Sequence, residues 1–150
     1  MAVTYHEETS LFELPADGFC HGVNTRGSIG GLAADVFGRL PDMKEVYKMA
    51  CLQGTFEGGD IFPCDFETFW VYNLFSQAEP GANAKLGFLA DALAKMRDHM
   101  KENEVKTMNI PQIGCGIGGL EWSEVKGVIE DVFGPDDAVI LQVVTQTTFD

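Results

Sequence analysis

An α/β domain, with a sheet covered by helices on both faces, is the fold class this sequence predicts, and three observations carry it. Strand-like apolar stretches alternate with stretches of helical periodicity along the whole chain, an order that right-handed crossovers turn into a largely parallel sheet. Thr68 to Phe75 is almost continuous in β-branched and aromatic residues, as a central strand buried on both faces must be. Two glycine-rich loops, within Phe19 to Leu32 and Asn109 to Trp122, each follow an apolar strand and run into a helix. At 150 residues the chain predicts one domain, 1–150, long enough for a single substantial core.

The elements follow in order. Ala2 to His6 is short and β-prone, with Val3 and Tyr5 on one face. After a connection through Phe12, Leu14 and Pro15, Gly18 to Gly22 forms a strand that feeds the first glycine loop. A helix from about Gly30 to Leu40 carries Leu32, Val36 and Leu40 at helical spacing until Pro41 breaks it. Asp42 caps a second helix through Cys51, with Met43, Val46, Tyr47 and Ala50 on its inner face. Gly54 to Pro63 reads as a hairpin-like loop with a short strand at either side, and Thr68 to Phe75 as the central strand. The loop from Ser76 to Asn83 precedes a helix to about Glu102, with Leu86, Leu89, Ala90, Leu93, Met96 and Met100 facing the core. Val105 to Ile110 is a strand that ends at Pro111, where the second glycine loop begins. The helix after that loop carries Val125, Val128, Ile129, Val132 and Phe133 and stops at Gly134-Pro135. Ala138 to Val144 is the last strand.

Composition narrows the function. With 45% hydrophobic and 22% charged residues, the chain is an ordinary soluble globular domain. Ten Lys and Arg against 23 Asp and Glu leave a net charge of -13, a field that repels nucleic acid and anionic membranes, so neither is an expected partner. An anionic ligand must then be held by backbone N–H groups and a few side chains, and a helix N-terminus behind a glycine turn supplies such groups. Met1 to Ser10 has no basic start followed by an apolar core, so a cytoplasmic protein is expected. Cys20, Cys51, Cys64 and Cys115 lack metal-type spacing and are expected to stay reduced. His6 and His99 read as structural or solvated, and no metal or cofactor is expected.

Within the loops, His21 can take or give a proton or attack phosphorus, or it can simply bond the loop backbone. Asn24 suits a ribose hydroxyl or phosphate oxygen, and equally a turn cap. Cys20 and Arg26 have the spacing of a cysteine-phosphatase loop without its other features, and Cys20 is expected to be a buried strand residue. Cys115 reads as a small side chain packed under the second loop rather than a reactive thiol. Neither loop has Walker spacing, and the first lacks Rossmann spacing.

His21-Gly-Val-Asn-Thr-Arg-Gly-Ser-Ile-Gly-Gly31, together with Ile110-Pro-Gln-Ile-Gly-Cys-Gly-Ile-Gly-Gly-Leu-Glu-Trp122, resembles the macro domain. Within it, the chain is similar to the branch holding the ADP-ribose 1″-phosphate phosphatase and the terminal ADP-ribose glycohydrolase. The resemblance spans roughly Val3 to Val144. It implies a three-layer α/β/α sandwich with a mixed, mostly parallel sheet that binds ADP-ribose across the strand ends. A monomer is expected.

The same resemblance assigns the site. The first loop, with His21, Asn24, Gly27, Ser28, Ile29, Gly30 and Gly31, faces the distal ribose. The second, Gln112, Ile113, Gly114, Cys115, Gly116, Ile117, Gly118 and Gly119, wraps the pyrophosphate, and Ser76 and Gln77 form the far wall. The adenine-contacting acid has Thr9 or Ser10 in its place, with Glu8 or Asp17 as substitutes; the glycohydrolase's catalytic Asp matches Gly118, and its Lys falls near Ser76 or Gln77. The expected activity is therefore hydrolysis of ADP-ribose 1″-phosphate, with His21 as nucleophile or proton-transfer group and Glu79 or Asp35 as candidate general acid. The alternatives are a non-catalytic ADP-ribose reader and a hydrolase of another adduct, such as O-acetyl-ADP-ribose or ADP-ribosylated protein.

Overall fold

The structure, a computed structural model, describes residues 2–145. These fold into a three-layer α/β/α sandwich. Strands β1 (Val3–Glu7), β2 (Gly18–Asn24), β3 (Ile61–Asp65), β4 (Trp70–Gln77), β5 (Thr107–Ile110) and β6 (Ile140–Thr145) form one sheet in the order β1-β6-β5-β2-β4-β3. Only β3 runs antiparallel to its neighbour. Helices α1 (Leu32–Arg39) and α2 (Pro41–Leu52) cover one face. Helices α3 (Leu86–Glu102) and α4 (Trp122–Phe133) cover the other.

Strand alternation divides β2 between the two cores. Cys20 enters the core under α3 and α4, whereas Phe19 and Val23 enter the core under α1 and α2. On β4, Tyr72 and Leu74 face the first core, and Val71 and Phe75 the second, so this strand is buried on both faces as its composition predicts. Along α3 the fully buried stripe is Leu89, Ala92, Leu93, Met96 and Met100; Ala92 fills the position expected of Ala90.

Several local expectations change. Pro41 is the first residue of α2 and Leu40 its N-cap, so Asp42 sits in the first turn and caps nothing. Proline suits that position because its missing N–H would be unpaired there anyway. Val46 is 54% exposed rather than inward. The 54–63 region contributes one strand, β3, which pairs with β4 instead of forming a hairpin of its own. Strands β2 and β4 each run two residues further than expected, to Asn24 and Gln77; this carries both side chains to the rim of the sheet.

Candidate functional site

A cleft opens across the carboxyl ends of β6, β5, β2 and β4, where an open α/β sheet collects its ligands. Of the expected residues, Asn24, Ser28, Ile29 and Gly30 line it from the first loop, and Gln112, Ile113, Gly114, Ile117 and Gly118 from the second. Ser76 and His21 also line it. Gly27, Gly31, Cys115, Gly116 and Gly119 do not. Gly27 takes φ 78, and a Cβ there would lie 3.3 Å from Cys51 Cβ on α2. Gly31 takes φ 56 as the N-cap of α1, and Gly119 takes φ 82 against Ala82. These three shape the loops from behind.

The first loop is organised by Asn24. Its Oδ1 accepts the N–H of Arg26 at 3.1 Å and of Ser28 at 3.2 Å, and its Nδ2 donates to the Ser28 carbonyl at 3.2 Å. The Tyr47 hydroxyl of α2 donates to the carbonyls of Asn24 and Ser28 at 2.8 and 3.2 Å. Asn24 therefore spends its amide on the loop and acts as the turn residue of the two readings. The second loop presents its backbone instead. Among the described residues no protein acceptor takes the N–H groups of Gly114, Gly116, Ile117 and Gly118, and such unpaired groups in a glycine-rich turn form an anion cradle.

His21 is only 1% exposed. Its Nε2 lies 2.6 Å from Asn73 Oδ1, while Asn73 Nδ2 donates to the Phe62 carbonyl at 3.0 Å. An amide oxygen only accepts, so His21 carries its proton on Nε2. Its Nδ1 is enclosed without a hydrogen-bond partner, and the ring packs edge-on against Phe37 with centroids 5.2 Å apart. Burial lowers its pKa to about 4, despite the raising effect of Asn73. The ring is thus neutral at pH 7, with neither nitrogen open to solvent, which is not the geometry of the nucleophile or proton carrier expected from the sequence.

This burial has a measurable consequence. An unfolded chain takes up a proton on His21 near pH 6.5, whereas the folded chain does so only near pH 4. The stability gained by keeping the ring neutral is therefore complete above about pH 6.5 and is lost as pH falls toward 4, by on the order of 3 kcal/mol. His21→Gln keeps a donor for Asn73 without a titratable group. Its urea midpoint should fall less steeply than that of the wild type between about pH 6.5 and about pH 4.5; parallel curves would show that His21 titrates normally.

The other expected acids and thiols stand apart from the cleft. Glu79 forms an exposed ion pair with Arg26, its oxygens 2.6 to 3.0 Å from the guanidinium. Asp35 pairs with Arg39 along the outside of α1. Asp17 is at the amino ends of β2 and β5, opposite the cleft, where its Oδ2 accepts from the N–H groups of Lys106 and Thr107, so it cannot stand in for an adenine ligand. Glu8, Thr9 and Ser10 lie outside the lining, and that end of the cleft is walled by Leu11 and Val144. Cys20 is fully buried while Arg26 is exposed, so their spacing brings nothing together. Burial, with Glu121 adding to it, pushes the Cys115 thiol up to about 11 and keeps it unreactive.

Residues not expected in the lining are Leu11, Gly22, Val23, Leu32, Ala33, Pro80, Gly81, Pro111 and Val144. Most are apolar or glycine, with no pattern to mark them out in a sequence. Gly22 had a detectable signal only as a glycine within a strand: a Cβ there would lie 2.7 Å from Ser76 Oγ and 3.0 Å from Ile113 Cγ1.

Comparison with known proteins agrees with this geometry. Residues 20–129 match the Macro domain family. The DNA ADP-ribosyl glycohydrolase of Thermus aquaticus is 28% identical over 127 residues, covering 81% of this chain and 35% of that protein. Human ADP-ribose glycohydrolase OARD1 is 31% identical over 84 residues, covering 56% of this chain and 55% of that one. The chain thus spans about a third to a half of the length of these relatives. The solved macrodomain of Thermus aquaticus DarG superposes with a TM-score of 0.83 at 26% identity, over 95% of this chain and 97% of that one. The exclusion of nucleic acid as a partner does not survive these matches, since DNA ADP-ribosyl glycohydrolases are among the relatives. The physical reason is that net charge describes the average field, whereas the cleft meets its ligand through local, uncharged backbone donors.

Proposed function

This chain belongs to the macro domain family, and from that premise we propose that it binds ADP-ribose and hydrolyses the bond joining it to a macromolecule, with ADP-ribosylated DNA as the first substrate class. The observation that carries the reading is the pair of glycine loops facing each other across one cleft, the second offering the N–H groups of Gly114, Ile117 and Gly118, which no acceptor among the described residues takes. A pyrophosphate suits that cradle without any basic side chain. The DNA ADP-ribosyl glycohydrolases among its relatives support the substrate class.

Hydrolysis of ADP-ribose 1″-phosphate ranks below this reading. It asks for a nucleophile or proton carrier at phosphorus, and the one ionisable side chain among the described residues lining the cleft, His21, is enclosed and held by Asn73. Cleavage at the anomeric carbon passes through an oxocarbenium-like transition state, towards which orientation and a placed water are what the polar, uncharged lining can contribute. A second reading, a reader that binds without turnover, is favoured by the absence of Asp, Glu, Lys and Arg among the described residues that line the cleft.

The test is release of free ADP-ribose, by chromatography, from an oligonucleotide ADP-ribosylated on a base, an ADP-ribosylated protein and ADP-ribose 1″-phosphate, alongside calorimetric titration with ADP-ribose. Release from the oligonucleotide ahead of the other two is the expected result. Binding without release from any of them would leave the reader, and no binding would reject both.

A further inference from the structure

Besides the enclosed Nδ1 of His21, four side chains lining the cleft have polar atoms that no other described residue engages: the hydroxyls of Ser28 and Ser76, the amide of Gln112, and Oε1 of Gln77. Only the last is held in place. Gln77 Nε2 donates to the Glu79 carbonyl at 2.6 Å and to the Gly81 carbonyl at 3.0 Å. Both amide hydrogens are thereby used, which fixes the amide plane and leaves Oε1 as an acceptor. The turn it holds is itself tied to the first loop, since Thr25 Oγ1 donates to the Ala78 carbonyl at 2.8 Å and Arg26 pairs with Glu79. Gln77 also stands opposite Asn24 in the β2–β4 register, at the end of the cleft that the first loop encloses.

Resting on the glycohydrolase reading above, we infer that Gln77 Oε1 orients the attacking water. The water oxygen bonds to the anomeric carbon of the distal ribose as the bond from that carbon to the macromolecule breaks, its electron pair leaving on the departing atom. The proton shed by the water reaches the leaving group through solvent. Gln77 accepts a hydrogen bond throughout and takes no proton, so the cleft needs no ionised base. A rigid acceptor is the feature this role requires, because a water displaced by about 1 Å costs on the order of 100-fold in rate.

Gln77→Met and Gln77→Glu test this in the intact chain, with kcat on the ADP-ribosylated oligonucleotide read separately from ADP-ribose affinity. Gln77→Met should lower kcat by about 10-fold to 100-fold while affinity stays within about twofold. Unchanged kcat in that variant, with the wild type active, would overturn the role of Gln77 and leave the glycohydrolase standing. If Gln77→Met loses affinity along with rate, Gln77→Glu decides. Turnover that rises with pH as the new carboxylate ionises, where wild-type turnover does not, supports the water contact. A flat profile, or no turnover, assigns Gln77 to the turn alone. An inactive wild type rejects the glycohydrolase and this inference together.

Discussion

Asn24→Ala is expected to weaken ADP-ribose binding by about 10-fold to 100-fold and to lower stability by about 2 kcal/mol. Three hydrogen bonds of the Asn24 amide hold the first loop, at 3.1, 3.2 and 3.2 Å, and the residue is only 8% exposed. Its removal leaves the N–H groups of Arg26 and Ser28 without their acceptor, so the loop that closes one side of the cleft loses its shape. Calorimetric titration and urea unfolding of the variant read the two effects separately. Tyr47→Phe is the graded control, because it removes only the hydroxyl that reaches the carbonyls of Asn24 and Ser28. It should cost about 1 kcal/mol of stability and less affinity. A destabilised Asn24→Ala that binds ADP-ribose as well as the wild type would show that the first loop makes no ligand contact.

Gly118→Asp is the second large effect, and it runs against the family pattern. An aspartate is the residue expected at the matching position of the terminal ADP-ribose glycohydrolase that the sequence resembles, so the substitution looks like a restoration. A Cβ at 118, however, would lie 2.8 Å from the Gly114 carbonyl oxygen and 2.9 Å from Ala84 Cβ. The first is backbone and the second is one bond from it, while the Gly118 carbonyl accepts the Ala84 N–H at 3.2 Å. Neither neighbour can rotate away, and forcing atoms into such a contact costs about 1–3 kcal/mol. The second loop should open, ADP-ribose affinity should fall by about tenfold or more, and hydrolysis should not increase. A gain in turnover at unchanged affinity would mean that the loop yields more readily than these contacts allow.

Much of this arrangement was legible in the sequence. The helical spacing of Leu89, Leu93, Met96 and Met100 marked a core face, and all four are fully buried. The composition of 68–75 marked a doubly buried strand, and Val71, Tyr72, Leu74 and Phe75 are fully buried. The macro-domain resemblance carried by the two loops was likewise visible, because glycines that must turn the chain leave a mark in a single sequence. Less legible were positions where the residue type serves two environments. Val46 has the right spacing for an inner face and lies on the outer one. Ile61–Asp65 became a strand because β4 had a free edge to pair with, not because of its own periodicity.

By itself, then, the sequence determined the order of elements, the two glycine loops and the macro-domain family, since each depends on local periodicity or on residues a few positions apart. Only the tertiary structure decided the chemistry inside the cleft. His21 and Asn73 are 52 positions apart, as are Asn24 and Gln77 to within a residue, and the pairing of β2 with β4 brings each couple together. That pairing turns a histidine at a loop entrance into a buried neutral ring, and a glutamine at a strand end into a fixed acceptor. Burial and hydrogen-bond partners set the protonation and orientation of a polar side chain, and in a parallel sheet those partners come from distant parts of the chain.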